Sequence, residues 1–309
     1  WTNDYNSKQR VINKINQYNN SNIRIIKKIK IKKEKIKSLF KNVQSGGKNY
    51  KNNVEVFIIE VPSIYTKEKT HDNPDGESVN KYMYQLKIAA RGIYTNYKIA
   101  HGSFNIKETN DFFTEYFKFL GDFKNFDEVL DELNNANVFW IYDRVTVDEY
   151  GKETDVDLVL DSISAICFIL RSTIVSYKIK INISNQSIPF DLRDFDSNYY
   201  PKKWLLEIKN NNKITQINNI KVPTKLDHFM LGLYHMYIHK NGIQNNTRIN
   251  KLNEMAYDLG YNNIDFFIIL EYLVYKNIDF ERPKDKKVGY FLKSKGNNNI
   301  KGDGCSKKN

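Results

Sequence analysis

Two aspartates two residues apart, Asp155 and Asp157, lead straight into the apolar run Leu158-Val159-Leu160. On a strand, side chains at i and i+2 point to the same face. Two carboxylates presented together suit a hard divalent cation, which prefers oxygen ligands. A solvated strand end that carries two aspartates has the same pattern, so the rest of the chain must decide between the two. Without a cation the adjacent acids repel one another and their protons are coupled.

Other groups have chemistry to offer. His235 and His239 stand at i and i+4, a spacing that can bind zinc on a helix, with His228 the other nearby histidine. No glutamate follows His235 as it does in zinc peptidases. Core hydrogen bonding for His235, and contact of His239 and Lys240 with a cleft, are the readings preferred. His101-Gly-Ser103 offers an imidazole that could cap a helix start.

The elements that must position these groups follow from length and pattern. At 309 residues with 40% hydrophobic and 14% aromatic content, the chain can build two domains with packed cores. Net charge is +12, but residues 1–50 hold thirteen Lys and Arg against two acids, and 292–309 hold five Lys against Asp303, which leaves the middle slightly acidic. A general nucleic-acid binder spreads basic charge along a groove. Here it sits at the ends, so nucleic acid is a possible but not a favoured partner, and solvated lysines on an AT-rich, viral or protist background are the commoner explanation. Two cysteines, Cys167 and Cys305, support no disulfide framework, and no apolar run reaches the roughly 20 residues of a membrane span. With no signal peptide in view, a cytoplasmic protein without a membrane partner is expected.

Periodicity predicts a helix over 9–18, a strand over 23–31 with Ile23, Ile25, Ile29 and Ile31 on one side, a helix over 33–42, a strand over 54–61, a helix over 82–88, a strand over 97–100 and a helix over 106–120. This order, with Arg91-Gly92 and His101-Gly-Ser103 in their places, resembles nucleoside diphosphate kinase with its first strand missing. The resemblance implies a ferredoxin-like sheet, His101 as the phosphoryl carrier and Arg91 as a phosphate clamp. Phe104 departs from it, standing where that family has an acid.

Beyond a link at 121–125, the pattern predicts a helix over 126–134, strands over 138–142 and 154–160, a helix over 162–170, and strands over 176–183 and 188–194. Helices over 224–240, 247–259 and 264–274 follow, the last apolar enough to be buried. Thr154-Asp-Val-Asp-Leu158, Phe190-Asp-Leu-Arg193, Tyr199-Tyr-Pro-Lys-Lys-Trp204, Leu233-Tyr-His-Met-Tyr-Ile-His-Lys240 and Arg282-Pro-Lys-Asp-Lys-Lys-Val288 occur in the order seen in nucleotidyltransferase-like proteins of microbial and large-virus genomes, which this stretch resembles. The resemblance implies a polymerase-β-type mixed sheet and a carboxylate trio, Asp155, Asp157 and Asp191, around Mg²⁺ or Mn²⁺. Active members carry Gly-Ser before the acid pair. Here the loop is Asp143–Gly151, where Arg144 and Thr146 are the candidate phosphate ligands, with Lys240 from the helical end.

The fold expected is therefore α+β: a nucleoside diphosphate kinase-like, ferredoxin-like domain at 1–120, a nucleotidyltransferase-like catalytic domain at 121–221, a helical subdomain at 222–291 and a mobile basic tail at 292–309. The function expected is metal-dependent transfer of a nucleotidyl or phosphoryl group from a nucleotide to a small acceptor; relatives suggest a sugar or polyol precursor of surface glycans. The alternative is a binding or structural protein that keeps both folds with decayed sites, associating with nucleic acid or other subunits through 1–50. Oligomer formation stays open.

Overall fold

The computed structural model describes residues 5–18, 23–32, 34–35, 54–67, 78–91, 106–143, 156–211, 214–217, 219–242 and 246–291. The helix expected at 33–42 (apart from Glu34 and Lys35), the strand at 97–100, His101 with its motif, the loop 144–151, Asp155 and the tail lie outside the described residues. The chain is a mixed α+β protein that divides into two compact units. One comprises Trp1–Phe123, Glu132–Asn137 and Cys167–Ile174; the other comprises Lys124–Asp131, Val138–Ile166 and Val175–Asn309.

In the first unit, helix α1 (Tyr5–Gln17) packs on α2 (Lys81–Arg91) through Val11, Leu86 and Ala90. Arg10 ties the pair by donating to the Ala89 and Ala90 carbonyls at 3.1 and 2.8 Å, groups that a helix end leaves unfilled. Asn80 caps the start of α2, accepting from the Tyr82 and Met83 amides. Strands β1 (Arg24–Ile31) and β2 (Val54–Glu60) pair antiparallel. The isoleucine face expected on β1 does not hold. A bulge between Ile25 and Lys27 inserts Ile26, which is buried, and sets Ile25 opposite Ile59, on the other face from Ile29 and Ile31. A two-residue pair, β3 (Tyr65–Thr66) with β4 (Val79–Asn80), adds to this unit. Helix α3 (Ile106–Leu120) has the bounds its periodicity predicts, and Phe113, Tyr116 and Phe117 gather around Phe168.

The second unit is built on a four-stranded mixed sheet: β5 (Trp140–Tyr142), β6 (Val156–Leu160), β7 (Lys178–Ile183) and β8 (Gln186–Asp194), in the order β5-β6-β8-β7. Composition explains the order. β6 is apolar almost throughout and lies inside the sheet, while β7 alternates exposed and buried residues and lies at the edge. β7 and β8 form a hairpin whose two turn residues, Ser184 and Asn185, both have positive φ, the turn that matches strand twist. β6 and β8 run parallel, so the chain crosses back through α5 (Ile163–Ile169) and β7 before β8 can pair.

Successive strand residues alternate faces. On one face Phe190 stacks on Phe126 of α4 (Phe126–Asn134). On the other, Phe139, Ile141, Val159 and Phe195 join a continuous core with α6 (Lys202–Asn210), α7 (Lys225–Tyr234), α8 (Asn246–Asp258) and α9 (Phe266–Tyr275). A hairpin of β9 (Ile214–Ile217) and β10 (Ile220–Pro223) leads into α7, which ends in a π-helical turn, His235–His239. The expected burial of the last apolar helix is half met. Ile269, Tyr272 and Leu273 are buried, but Phe267, Val274 and Tyr275 are exposed, because only one side of α9 meets the core.

Asp227 is the polar centre of this helical end. Only 2% exposed, it accepts from Trp204 Nε1 at 3.1 Å, the Tyr272 hydroxyl at 2.6 Å and the Thr224 hydroxyl at 2.9 Å. Thr224 in turn accepts from the Asp227 amide and caps α7. Truncation to Asp227→Ala strands the indole N–H and the tyrosine O–H in an apolar core. The expected loss is about 3 kcal/mol of unfolding free energy in urea titrations; a loss below about 1 kcal/mol contradicts the role assigned to this carboxylate.

Candidate functional site

The carboxylates of interest lie on the sheet face that also carries Ile141 and Val159 of the apolar core. β6 and β8 pair so that Asp157 stands directly opposite Asp191, and parallel partners in register share a face. The sequence expectation that Asp191 joins Asp157 from a neighbouring strand is thus realised in the backbone register. Asp155, the other half of the pair, lies outside the described residues.

A third carboxylate enters from β5. Tyr142 pairs with Leu158, and the Asp143 amide donates to the Asp157 carbonyl at 3.0 Å, extending that ladder by one residue. Lys178 of β7 pairs with Asp191 on the far side. A single row therefore crosses the sheet: Asp143, Asp157, Asp191, Lys178. Asp191 is held by the Lys178 ammonium at 3.0 Å and by Arg193 Nη2 at 3.5 Å. Arg193, two residues along β8, belongs to the same face. Its guanidinium lies 5.0 Å from the centre of the Tyr199 ring and 4.0 Å from Asp285 Oδ2.

Asp143 has the most altered chemistry of the row. Burial pushes its carboxyl up to about 7; the Tyr200 hydroxyl, donating to Oδ1 at 2.7 Å, pulls the other way and Asp157 adds to the rise. Tyr200 is itself buried, and burial with Asp143 beside it drives its hydroxyl well above the ordinary range. The acid is thus poised to carry its proton near neutral pH.

A fixed aromatic and histidine layer backs the row. The Tyr199 hydroxyl bonds His235 Nδ1 at 2.9 Å, and His239 stacks on the Tyr199 ring with centroids 4.3 Å apart. His239 is 3% exposed, with Nε2 2.7 Å from the Tyr199 carbonyl and Nδ1 3.0 Å from the Gly289 carbonyl. Burial holds its pKa below the usual value, against the pull of those two carbonyls. His235 thus has the core role expected of it, whereas His239 is a buried brace and does not face a cleft. Lys240, at the end of the π turn, is exposed. The segment 282–291 folds back beside β8: the Lys284 amide donates to Ser197, the Phe291 amide donates to Ile238, and Asp285 reaches Arg193.

Of the remaining expected residues, Arg91 is the last residue of α2 in the first unit. His101, Arg144 and Thr146 lie outside the described residues. Asp143, Tyr200, Lys178 and Arg193 have no role in the sequence reading. Strand alternation could have found Arg193, which is i+2 from Asp191. Asp143 needed the β5–β6 register.

Among the described residues no group of three or more His, Cys, Asp or Glu side chains is gathered closely enough to hold a metal ion, and Asp155 is not among them. No described helix is long and apolar enough to cross a membrane. No protein-family model, curated protein or solved structure matches the chain.

The raised Asp143 pKa has a signed consequence for stability. The folded state holds this proton more tightly than the unfolded chain, whose carboxyl titrates near 3.8. The contribution is fully present below that value and is lost as pH rises through about 7. Wild type should lose stability between pH 5 and pH 8 (on the order of 2 kcal/mol), and Asp143→Asn should flatten that slope. An unchanged slope in the variant assigns the loss to another group.

Proposed function

We propose that this chain is a metal-dependent nucleotidyl- or phosphoryl-group transferase acting on a small molecule, with a polymerase-β-type nucleotidyltransferase fold in its second unit. The observation that carries the reading is the in-register pairing of Asp157 with Asp191 on adjacent parallel strands. The implied cofactor is Mg²⁺ or Mn²⁺. Asp157 and Asp191, with Asp155 preceding them on the chain, are the residues to hold it, and an all-carboxylate donor set suits a hard ion. Such an ion, when bound, lowers the pKa of an attacking hydroxyl and neutralises phosphate charge.

The chain's own residues prepare this site. Lys178 and Arg193 neutralise Asp191, which offsets the repulsion between facing acids. Tyr200 orients Asp143. The ferredoxin-like, nucleoside diphosphate kinase-like reading of the first unit belongs to the same proposal. The antiparallel β1–β2 pair and α3 in its expected place support it, and its key histidine, His101, is the residue to test there.

One observation favours the second reading, a decayed binding or structural protein. Asp143 stands where active nucleotidyltransferases begin their Gly-Ser phosphate loop, and an acid there opposes a triphosphate. Mn²⁺ titration followed by electron paramagnetic resonance separates the two. Wild type should bind Mn²⁺, and the double variant Asp155→Ala/Asp157→Ala should bind it at least about tenfold more weakly. Absence of binding, or binding that the double substitution leaves untouched, removes the transferase reading and leaves the decayed one.

A further inference from the structure

Arg193 has more hydrogen-bonding capacity than its neighbours use. Its side chain is 12% exposed, yet Nη1 is buried and has no hydrogen-bond partner among the described residues. The nearest acid to Nη1, Asp285, is 4.0 Å away, beyond hydrogen-bond reach. Nη2 meets Asp191 only at 3.5 Å, the outer limit of such a bond. A buried donor atom left unfilled carries a cost that a structural role alone does not remove.

The surroundings hold it in place without saturating it. The Tyr199 ring lies beneath the guanidinium at 5.0 Å. That ring is itself fixed, by the bond from its hydroxyl to His235 and by His239 stacked on it. On β8 the arginine is two residues from Asp191 and on the same face, so its fork opens beside the carboxylate row. A planar fork with free N–H groups matches the oxygens of a phosphate, which accept two parallel bonds. The loop that leads into the acid pair contains no Gly-Ser, so on the transferase reading other groups would hold the phosphate.

We propose that Arg193 is a phosphate-binding residue of the site, its guanidinium taking oxygens of the donor's phosphate chain. This rests on the transferase reading of the same site. Asp191 keeps Lys178 as a partner, so Arg193 would be able to turn its fork from the acid to a phosphate. Tyr199 and Asp285 are positioning residues for the guanidinium.

The test uses the full chain and two probes, tripolyphosphate and inorganic phosphate, titrated calorimetrically with and without Mn²⁺. Wild type should bind tripolyphosphate, and bind it more tightly than inorganic phosphate. Arg193→Gln should weaken tripolyphosphate binding about 10- to 100-fold. Arg193→Lys keeps the charge but loses the fork, and should weaken it by about fivefold or more. Near-ultraviolet circular dichroism checks the fold, and if Arg193→Gln does not fold, Arg193→Lys decides. Tripolyphosphate affinity equal to wild type in the folded variants, no binding by wild type, or no preference over inorganic phosphate overturns the proposal. Mn²⁺ binding without phosphate, compared between wild type and Asp157→Asn, reads the transferase reading separately. Its loss of support there leaves the change in tripolyphosphate affinity measurable by itself.

Discussion

The register of β6 against β8 is the constraint on which the candidate site depends. A slip of one residue would set Leu192 or Phe190 opposite Asp157 and turn Asp191 to the other face. The opposite face forbids that slip. Val156, Leu158, Leu160, Phe190 and Leu192 are all buried, and moving them would exchange an apolar layer for Asp191 and Arg193. Facing acids repel, so the alignment is held by apolar burial and not by the acids themselves. Each buried side chain of this kind contributes roughly 1.5–3 kcal/mol, more than one exposed-to-intermediate like-charge pair costs.

Polar compensation follows from that alignment. Lys178 and Arg193 draw charge from Asp191, and Tyr200 does so for Asp143. Behind them, Tyr199 and His239 bridge β8's outgoing chain, the π turn and the returning 282–291 segment. The two ring nitrogens of His239 face two carbonyl acceptors, which only a doubly protonated ring could serve together, while burial favours the neutral form. Asp227 does the equivalent work among the helices, collecting the donors of Trp204, Thr224 and Tyr272 at one buried point. In both places a buried polar group is retained with its partners, which constrains how the helices seat on the sheet.

Much of the element pattern was legible. α3 and α4 have the bounds their apolar spacing implies, and Thr224 caps α7 as its position before Asp227 suggests. Local pattern misled where the environment intervened. The β1 isoleucines read as one face until the bulge at Ile26 divided them, because alternation presumes an unbroken ladder. α9 read as buried all round, yet Phe267, Val274 and Tyr275 face outward, since composition says how apolar a helix is and not how many of its sides find a neighbour.

By itself the sequence singled out candidate site residues, the acids Asp155, Asp157 and Asp191, and predicted a strand–helix–strand–strand order between them. Alternation along β8 also puts Arg193 on the face of Asp191, though the sequence assigned it no role. Only the tertiary structure decided that Asp157 faces Asp191, that Asp143 joins the row next to β5, and that Nη1 of Arg193 is buried with no hydrogen-bond partner among the described residues. The physical reason is that side-chain direction along a strand has a period of two and is written in the chain. Pairing between strands is set by which apolar faces bury together, and proton affinity by how much water that burial removes.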